Sequence, residues 1–230
     1  MKTSSFVAVL IFILMGHQPL YSAQDINNTD EGSIVKDDNI ALYKLARSYI
    51  DHQNYVGAVR TYTLLLKDFP DNWRIYYLRG ILQHRLGRLD EAHSDYSYLV
   101  DNNMADGLVF NNLGVISVEK GEWVNARQWF AKAIAQDPGM AEAHNNLAEL
   151  FMRGQAYDKA AAEFNTVLAL ERGNTRALYN LGVTYMNMGD FAKAEQLWER
   201  ALAVNPDDQD IKDILDQTKK QQTAMSIKEN

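Results

Sequence analysis

The feature that most constrains this chain is an internal repeat of 34 residues. When the sequence is aligned with itself at this offset, alanine recurs in register without a gap at Ala58, Ala92, Ala126, Ala160 and Ala194. A period in this range is the signature of stacked supersecondary units, each of which buries its apolar face only against its neighbours. The sequence therefore predicts five tandem units, at residues 39–72, 73–106, 107–140, 141–174 and 175–208.

Other columns of the repeat indicate how each unit folds. A small residue stands twelve positions before each alanine, at Ala46, Gly80, Gly114, Ala148 and Gly182. An aromatic residue stands four positions after it, at Tyr62, Tyr96, Phe130, Phe164 and Trp198. Small residues are expected where two antiparallel helices cross too closely for a larger side chain. The aromatic residues are expected to fill the wider gap toward the next unit.

Apolar residues within each unit recur every three or four positions, which is the spacing of a helix with one buried face. Breaks that contain glycine, such as Lys120-Gly121-Glu122 and Met188-Gly189-Asp190, divide the unit into two helices. Proline closes three of the units, at Pro70, Pro138 and Pro206, where it cannot continue a helix.

This pattern resembles the tetratricopeptide repeat family over about three quarters of the chain. The family signature is clearest at Leu181-Gly182, Tyr185, Ala194, Trp198, Ala201 and Pro206. The resemblance implies an all-α fold, an α-solenoid of five antiparallel helix pairs. Ile211, Ile214 and Leu215 have helical spacing after the last pair, which predicts a C-terminal capping helix over 209–220. Asp207 or Asp208 is available as its N-cap, and the polar residues 221–230 are expected to form a disordered tail.

The amino-terminal residues have a different character. Lys2 is followed by ten consecutive apolar residues, Phe6 to Met15, and by small residues that end at Ala23. This order is typical of a secretory signal peptide, and the apolar run is about half the length that a transmembrane helix needs. The sequence predicts a signal peptide over 1–23 and an acidic linker over 24–38. A periplasmic or secreted protein is expected, soluble after cleavage and held at a membrane only if the segment remains uncleaved.

Composition excludes several kinds of chemistry. The chain has no cysteine, which rules out disulfides, thiolate catalysis and sulfur-ligated zinc. Its net charge of −7 argues against nucleic acid as a partner. The histidines lack metal-ligand spacing, and no nucleophile elbow or phosphate-binding glycine loop occurs. We therefore predict no catalytic residue, no cofactor and no metal site, and expect that the protein is not an enzyme.

The resemblance implies instead that the first helices line a concave groove that receives a peptide or a partner helix. The candidate binding residues lie in columns beside the packed stripe of each first helix: Tyr43, Arg47, Arg74, Tyr77, Asn111, Asn112, Asn145, Asn146, Tyr179 and Asn180. Asn112, Asn146 and Asn180 share one column that resembles the asparagine ladder in the repeat domain of O-linked N-acetylglucosamine transferase. Since an amide both donates and accepts hydrogen bonds, such a column suits a peptide backbone. Alternatively, these asparagines only tie neighbouring helices together.

The leading functional hypothesis is an extracytoplasmic scaffold or adaptor that binds a partner peptide or helix, in envelope assembly such as pilus, secretion or outer-membrane machinery. One alternative is a structural protein that associates with itself as a homo-oligomer. The other is a regulatory subunit of a periplasmic enzyme.

Overall fold

The computed structural model describes residues 37–229. The predicted signal peptide and most of the predicted linker lie outside this range. By contacts, the chain divides into the units Met1–Ala41 and Leu42–Asn230. Only the start of the first helix is described in the shorter unit, and the longer unit contains the repeats.

Residues 37–229 form eleven helices and no strand. The five pairs are α1 (Asp37–Asp51) with α2 (Tyr55–Asp68), α3 (Trp73–Arg85) with α4 (Leu89–Asp101), α5 (Gly107–Glu119) with α6 (Trp123–Gln136), α7 (Ala141–Arg153) with α8 (Tyr157–Leu170), and α9 (Thr175–Asn187) with α10 (Phe191–Val204). The last helix is α11 (Gln209–Glu229). The predicted all-α fold of consecutive helix pairs is confirmed.

Helix ends differ from the sequence prediction at both termini of the array. Helix α1 begins at Asp37, two residues before the predicted start of the first repeat, and α11 continues to Glu229 instead of ending at residue 220. Residues 221–229, predicted to belong to a disordered tail, are therefore helical. Residues 216–229 contain neither proline nor glycine and are rich in lysine and glutamine, so nothing in them ends a helix.

The two helices of a pair meet where an aromatic ring lies over the small residue. A Cβ atom added to Gly114 would overlap the ring of Phe130, and one added to Gly182 would overlap the ring of Trp198. Both rings are almost completely buried. The predicted role of the small column is confirmed. The aromatic rings lie over the small residue of their own pair and also reach the following element: Tyr96 accepts a hydrogen bond from Asn112, and Trp198 shares an apolar cluster with Ile211.

Each pair turns through one residue in the left-handed conformation, always at the same position of the repeat. Gly87, Gly121 and Gly189 occupy it with φ values of 70°, 76° and 83°. Gln53 and Gln155 adopt φ values of 57° and 58° in the other two pairs. Glycine adopts this conformation without steric penalty, whereas a residue with a Cβ atom loses about 1–2 kcal/mol.

The second repeat replaces a core leucine with an ion pair. Arg79 stands in a column that holds leucine in the other repeats. Its Nε and Nη2 atoms donate to the Asp95 carboxylate on α4 at 2.9 and 2.6 Å. Asp95 is 4% exposed, so the guanidinium neutralises a carboxylate inside the protein. A bidentate pair of this kind compensates for the lost apolar contact.

Helix α11 closes the carboxyl end of the array. The Asp208 side chain accepts a hydrogen bond from the backbone N–H of Ile211 at 3.1 Å, which identifies Asp208 as the N-cap. Ile211 and Leu215 are buried in the same apolar cluster as Trp198. The last repeat is thereby shielded from solvent, as the end of a solenoid requires.

We expect Gly114→Ala to lower the free energy of unfolding by about 1–3 kcal/mol, because the added methyl group would overlap the Phe130 ring. Chemical denaturation followed by circular dichroism measures this loss. Gly154→Ala is the matched control, since its Cβ would lie 3.6 Å from the nearest atoms and its φ is −79°. Equal stabilities of the two variants would contradict the close contact between Gly114 and the Phe130 ring.

Candidate functional site

The candidate binding residues lie on the first helices of the five pairs, α1, α3, α5, α7 and α9. We call the surface that these residues contribute the first-helix face: Tyr43, Arg47, Arg74, Tyr77, Asn111, Asn112, Asn145, Asn146, Tyr179 and Asn180.

Four members of the first-helix face are core residues. Tyr77 is 9% exposed, Asn111 1%, and Asn112 and Asn145 3% each. Their side chains are covered by neighbouring helices, so they are not presented to a partner as the sequence pattern predicted. The physical reason is contact with the neighbouring pairs: Asn112 donates to Tyr96 on the preceding second helix, and Asn111 accepts from Asn146 on the next first helix.

The other members reach solvent. Arg47 and Arg74 are exposed, and the remaining four are half-buried: Tyr43, Asn146, Tyr179 and Asn180. Burial raises the pKa values of Tyr43 and Tyr179, so both phenols stay protonated at neutral pH. These six residues are the ones that a partner could contact directly.

A continuous polar network joins α5, α7 and α9. Asn146 Nδ2 donates to Asn111 Oδ1 at 3.0 Å. Arg176 binds Glu149 in a bidentate manner, with both N–H···O distances at 2.8 Å. Asn180 Nδ2 also donates to Glu149, at 2.8 Å. Arg176 Nη2 lies 3.5 Å from Asn146 Oδ1, which connects the Asn111–Asn146 hydrogen bond to the bonds around Glu149. We call these five residues the α5–α9 network.

The asparagine column has two environments. Asn112 Nδ2 donates to the Tyr96 hydroxyl at 3.2 Å, and this hydrogen bond is buried. Asn112 therefore ties helices α5 and α4 together. Asn146 and Asn180 each use an N–H for a neighbouring helix, but they are half-buried and each amide carries a second N–H and an acceptor oxygen. At these two positions helix tying and peptide binding are compatible.

Glu149 and Arg176 also stand in the groove-facing columns of the repeat, but the sequence does not predict that they pair and hold the α5–α9 network together. They come from adjacent repeats and are 27 positions apart, so the columns of a single repeat give no sign of the pair. The sequence signal for such a pair is the presence of opposite charges at groove-facing positions of adjacent repeats.

The described residues hold no group of three or more histidine, aspartate or glutamate side chains that could bind a metal ion. Two histidines instead contact single glutamates: His144 lies 2.6 Å from Glu163, and His84 lies 2.8 Å from Glu119. No helix within residues 37–229 is both long and apolar enough to cross a membrane. The site thus offers hydrogen bonds and contact surface.

Asn112→Ala should lower the free energy of unfolding by about 1–2 kcal/mol, because it removes a buried hydrogen bond. Urea denaturation tests this. Lys44→Ala is the control, since Lys44 occupies the same column in the first repeat but is exposed, and it should change stability by less than about 0.5 kcal/mol. Unchanged stability of Asn112→Ala would contradict its structural role.

Comparison with known proteins places the fold among repeat proteins. The chain is 21% identical over 185 residues to the anaphase-promoting complex subunit cut9 of Schizosaccharomyces pombe, covering 80% of this chain and 27% of that protein. The first curated relatives are longer, and the chain spans about a quarter to a half of their length.

Solved structures show the same arrangement of helices. The crystal structure of MamA protein superposes with a TM-score of 0.66 at 20% identity, covering 73% of this chain and 92% of that one. YrrB, described as a tetratricopeptide repeat protein with an unusual peptide-binding site, superposes with a TM-score of 0.61 at 21% identity, covering 75% and 90%.

Family models describe the repeats directly. One model described as tetratricopeptide repeat matches residues 43–107 and 85–141, and a second model with the same description matches 117–171 and 154–217. Together the matches run from the first repeat into the capping helix. The chain belongs to the tetratricopeptide repeat family.

Proposed function

We propose that this protein is a non-enzymatic interaction scaffold whose first-helix face holds an extended segment or a helix of a partner protein. The observation that carries this proposal is the α5–α9 network, which runs without interruption over three successive first helices. It is partly open to solvent: the side chains of Arg176 and Glu149 are 37% and 21% exposed. Groups that already hold one another in position lose little conformational entropy when they bind a partner.

An extended peptide is the ligand that this surface suits best. Its backbone alternates N–H donors and carbonyl acceptors, and the amides of Asn146 and Asn180 supply both types of group from neighbouring helices. Half-buried Tyr179 adds aromatic contact area beside them. The peptide-binding site described for YrrB supports this type of use for the fold.

The proposed location is outside the cytoplasm, and the support is the signal-peptide pattern of residues 1–23. In that compartment the partner would belong to envelope assembly, such as pilus, secretion or outer-membrane machinery. The name of cut9, a subunit of a larger complex, is in keeping with an adaptor role. In the two alternative functions the first-helix face binds a different protein: a second copy of the chain in self-association, or a periplasmic enzyme in regulation.

Site-specific photo-crosslinking in cells tests the face. A benzoylphenylalanine at Tyr179 or Arg74 should give partner adducts, because both residues reach solvent on first helices. The controls are Lys67 on α2 and Arg200 on α10, which are exposed on second helices. Mass spectrometry of the adducts then separates the hypotheses, since a second copy of the chain would indicate self-association. Equal adducts at face and control positions would contradict the proposal.

The location has its own test. We expect the chain to be found in the extracytoplasmic fraction with Gln24 as its first residue, because the small-residue exit of the apolar segment ends at Ala23. Edman sequencing of the purified protein measures this. A full-length chain in the cytoplasmic fraction would refute both export and the envelope setting, without bearing on the first-helix face.

A further inference from the structure

A recess that shares no lining residue with the first-helix face lies at the edge where the third and fourth helix pairs turn. We call it the turn pocket. It has a volume of about 500 Å³, and its main lining residues are Trp123, Val124, Phe151, Arg127, Arg153 and Lys159. Helix α6 begins at Trp123, α7 ends at Arg153 and α8 begins at Tyr157, so the pocket is formed by helix ends.

The walls of the turn pocket are apolar and accessible. Trp123 is 39% exposed and Val124 is 63% exposed, and these two adjacent residues lie beside half-buried Phe151. Exposed apolar groups collected around a recess, as opposed to scattered singly, mark a contact surface. Tryptophan is among the residue types that contribute most to binding when a partner covers them.

The rim of the turn pocket is cationic. The Arg153 guanidinium lies 4.1 Å from the centre of the Trp123 ring, and the Lys159 ammonium lies 5.7 Å from that of Phe151. Arg127 completes the rim. Within the part of the chain that the structure describes, none of the three cations forms an ion pair with a carboxylate. This concentration of positive charge occurs in a chain whose net charge is −7.

Among the repeats, the three rim cations occur together only at this junction, although single contacts of the same type recur, with Arg85 over Tyr55 and Lys193 over Tyr185. One repeat earlier, the three rim positions hold His93, Glu119 and Asn125. The position of Val124 holds Asp90 there, whose carboxylate pairs with Lys120 at 2.8 Å. The repeat therefore does not need positive charge or an exposed valine at these positions.

We propose that the turn pocket is a docking site for an acidic segment of a partner protein that carries a bulky apolar side chain. The apolar side chain enters between Trp123 and Phe151, and aspartate or glutamate residues beside it pair with the rim cations. Charge complementarity selects this occupant, because unpaired cations around an apolar recess favour anionic groups next to an apolar one. The site is distinct from the first-helix face, so the two surfaces can hold different segments.

The test uses a fluorescent peptide with a central Leu-Phe pair flanked on both sides by Asp and Glu, and a matched peptide with Lys at the acidic positions. Binding to the full chain is measured by fluorescence anisotropy. We expect the acidic peptide alone to bind, and its affinity to fall as salt is raised, since exposed ion pairs are screened. Equal binding of both peptides would overturn the charge assignment.

Variants then locate the site. Arg127→Glu/Arg153→Glu/Lys159→Glu should weaken binding at least tenfold, and Trp123→Ala, which keeps every charge, should do the same. Arg60→Glu/Lys67→Glu/Arg200→Glu is the control, since it makes the same charge change at exposed positions elsewhere and should alter affinity less than twofold. Circular dichroism verifies the fold, and Arg153→Glu alone replaces the triple variant if that variant unfolds. Equal weakening by control and pocket variants would overturn the proposal.

Light scattering tests whether a second copy of the chain, instead of an acidic partner, fills the turn pocket. If the wild-type chain is a dimer and the pocket variant is a monomer, a second copy fills the turn pocket and a separate acidic partner is ruled out. A monomer in both cases supports the proposal. Crosslinking from Tyr179 should be unchanged in the pocket variant, so the proposal for the turn pocket and the proposal for the first-helix face are tested independently.

Discussion

One contact organises the second, third and fifth repeats of this protein: an aromatic ring on the second helix lies against a glycine on the first. The ring occupies the space that a larger residue would take, and it thereby fixes how closely the two helices approach. Because the same contact recurs in register through the chain, the first helices follow one another at a regular interval. That regularity allows side chains from α5, α7 and α9 to reach each other in one polar network.

The same sequence column gives two kinds of asparagine, and the difference originates on a neighbouring helix. Asn112 lies against Tyr96, whose hydroxyl accepts its amide proton inside the core. The corresponding aromatic residues of the next two repeats are Phe130 and Phe164, which have no hydroxyl group. Asn146 and Asn180 bond instead to residues of adjacent first helices and stay half-open to solvent. The asparagine is therefore a core residue where the aromatic residue carries a hydroxyl group, and a half-exposed residue where the hydroxyl group is absent.

The sequence was sufficient for the fold because helix pairs repeat in register and glycine or proline marks many of their ends. It was insufficient at Gln53 and Gln155, since a residue other than glycine gives no sign of a left-handed turn. It also did not identify the Glu149–Arg176 pair, because the two residues belong to different repeats. Burial of Asn111 and Asn112 depends on contacts with neighbouring pairs, through Asn146 and Tyr96 respectively, which one repeat does not reveal. The turn pocket likewise exists only where two particular repeats meet.

The two charged clusters couple the repeats differently. Arg79 and Asp95 belong to one helix pair, and Arg79 Nη1 also donates to Thr63 Oγ1 on α2 at 3.1 Å, so this cluster crosses one boundary between pairs. The α5–α9 network crosses two boundaries between pairs and makes each of those pairs more stable when the next one is folded. In an array with nearest-neighbour energetics, such cross-boundary contacts enlarge the cooperative unit. A partner that binds across α5, α7 and α9 therefore contacts three repeats whose stabilities are coupled to one another.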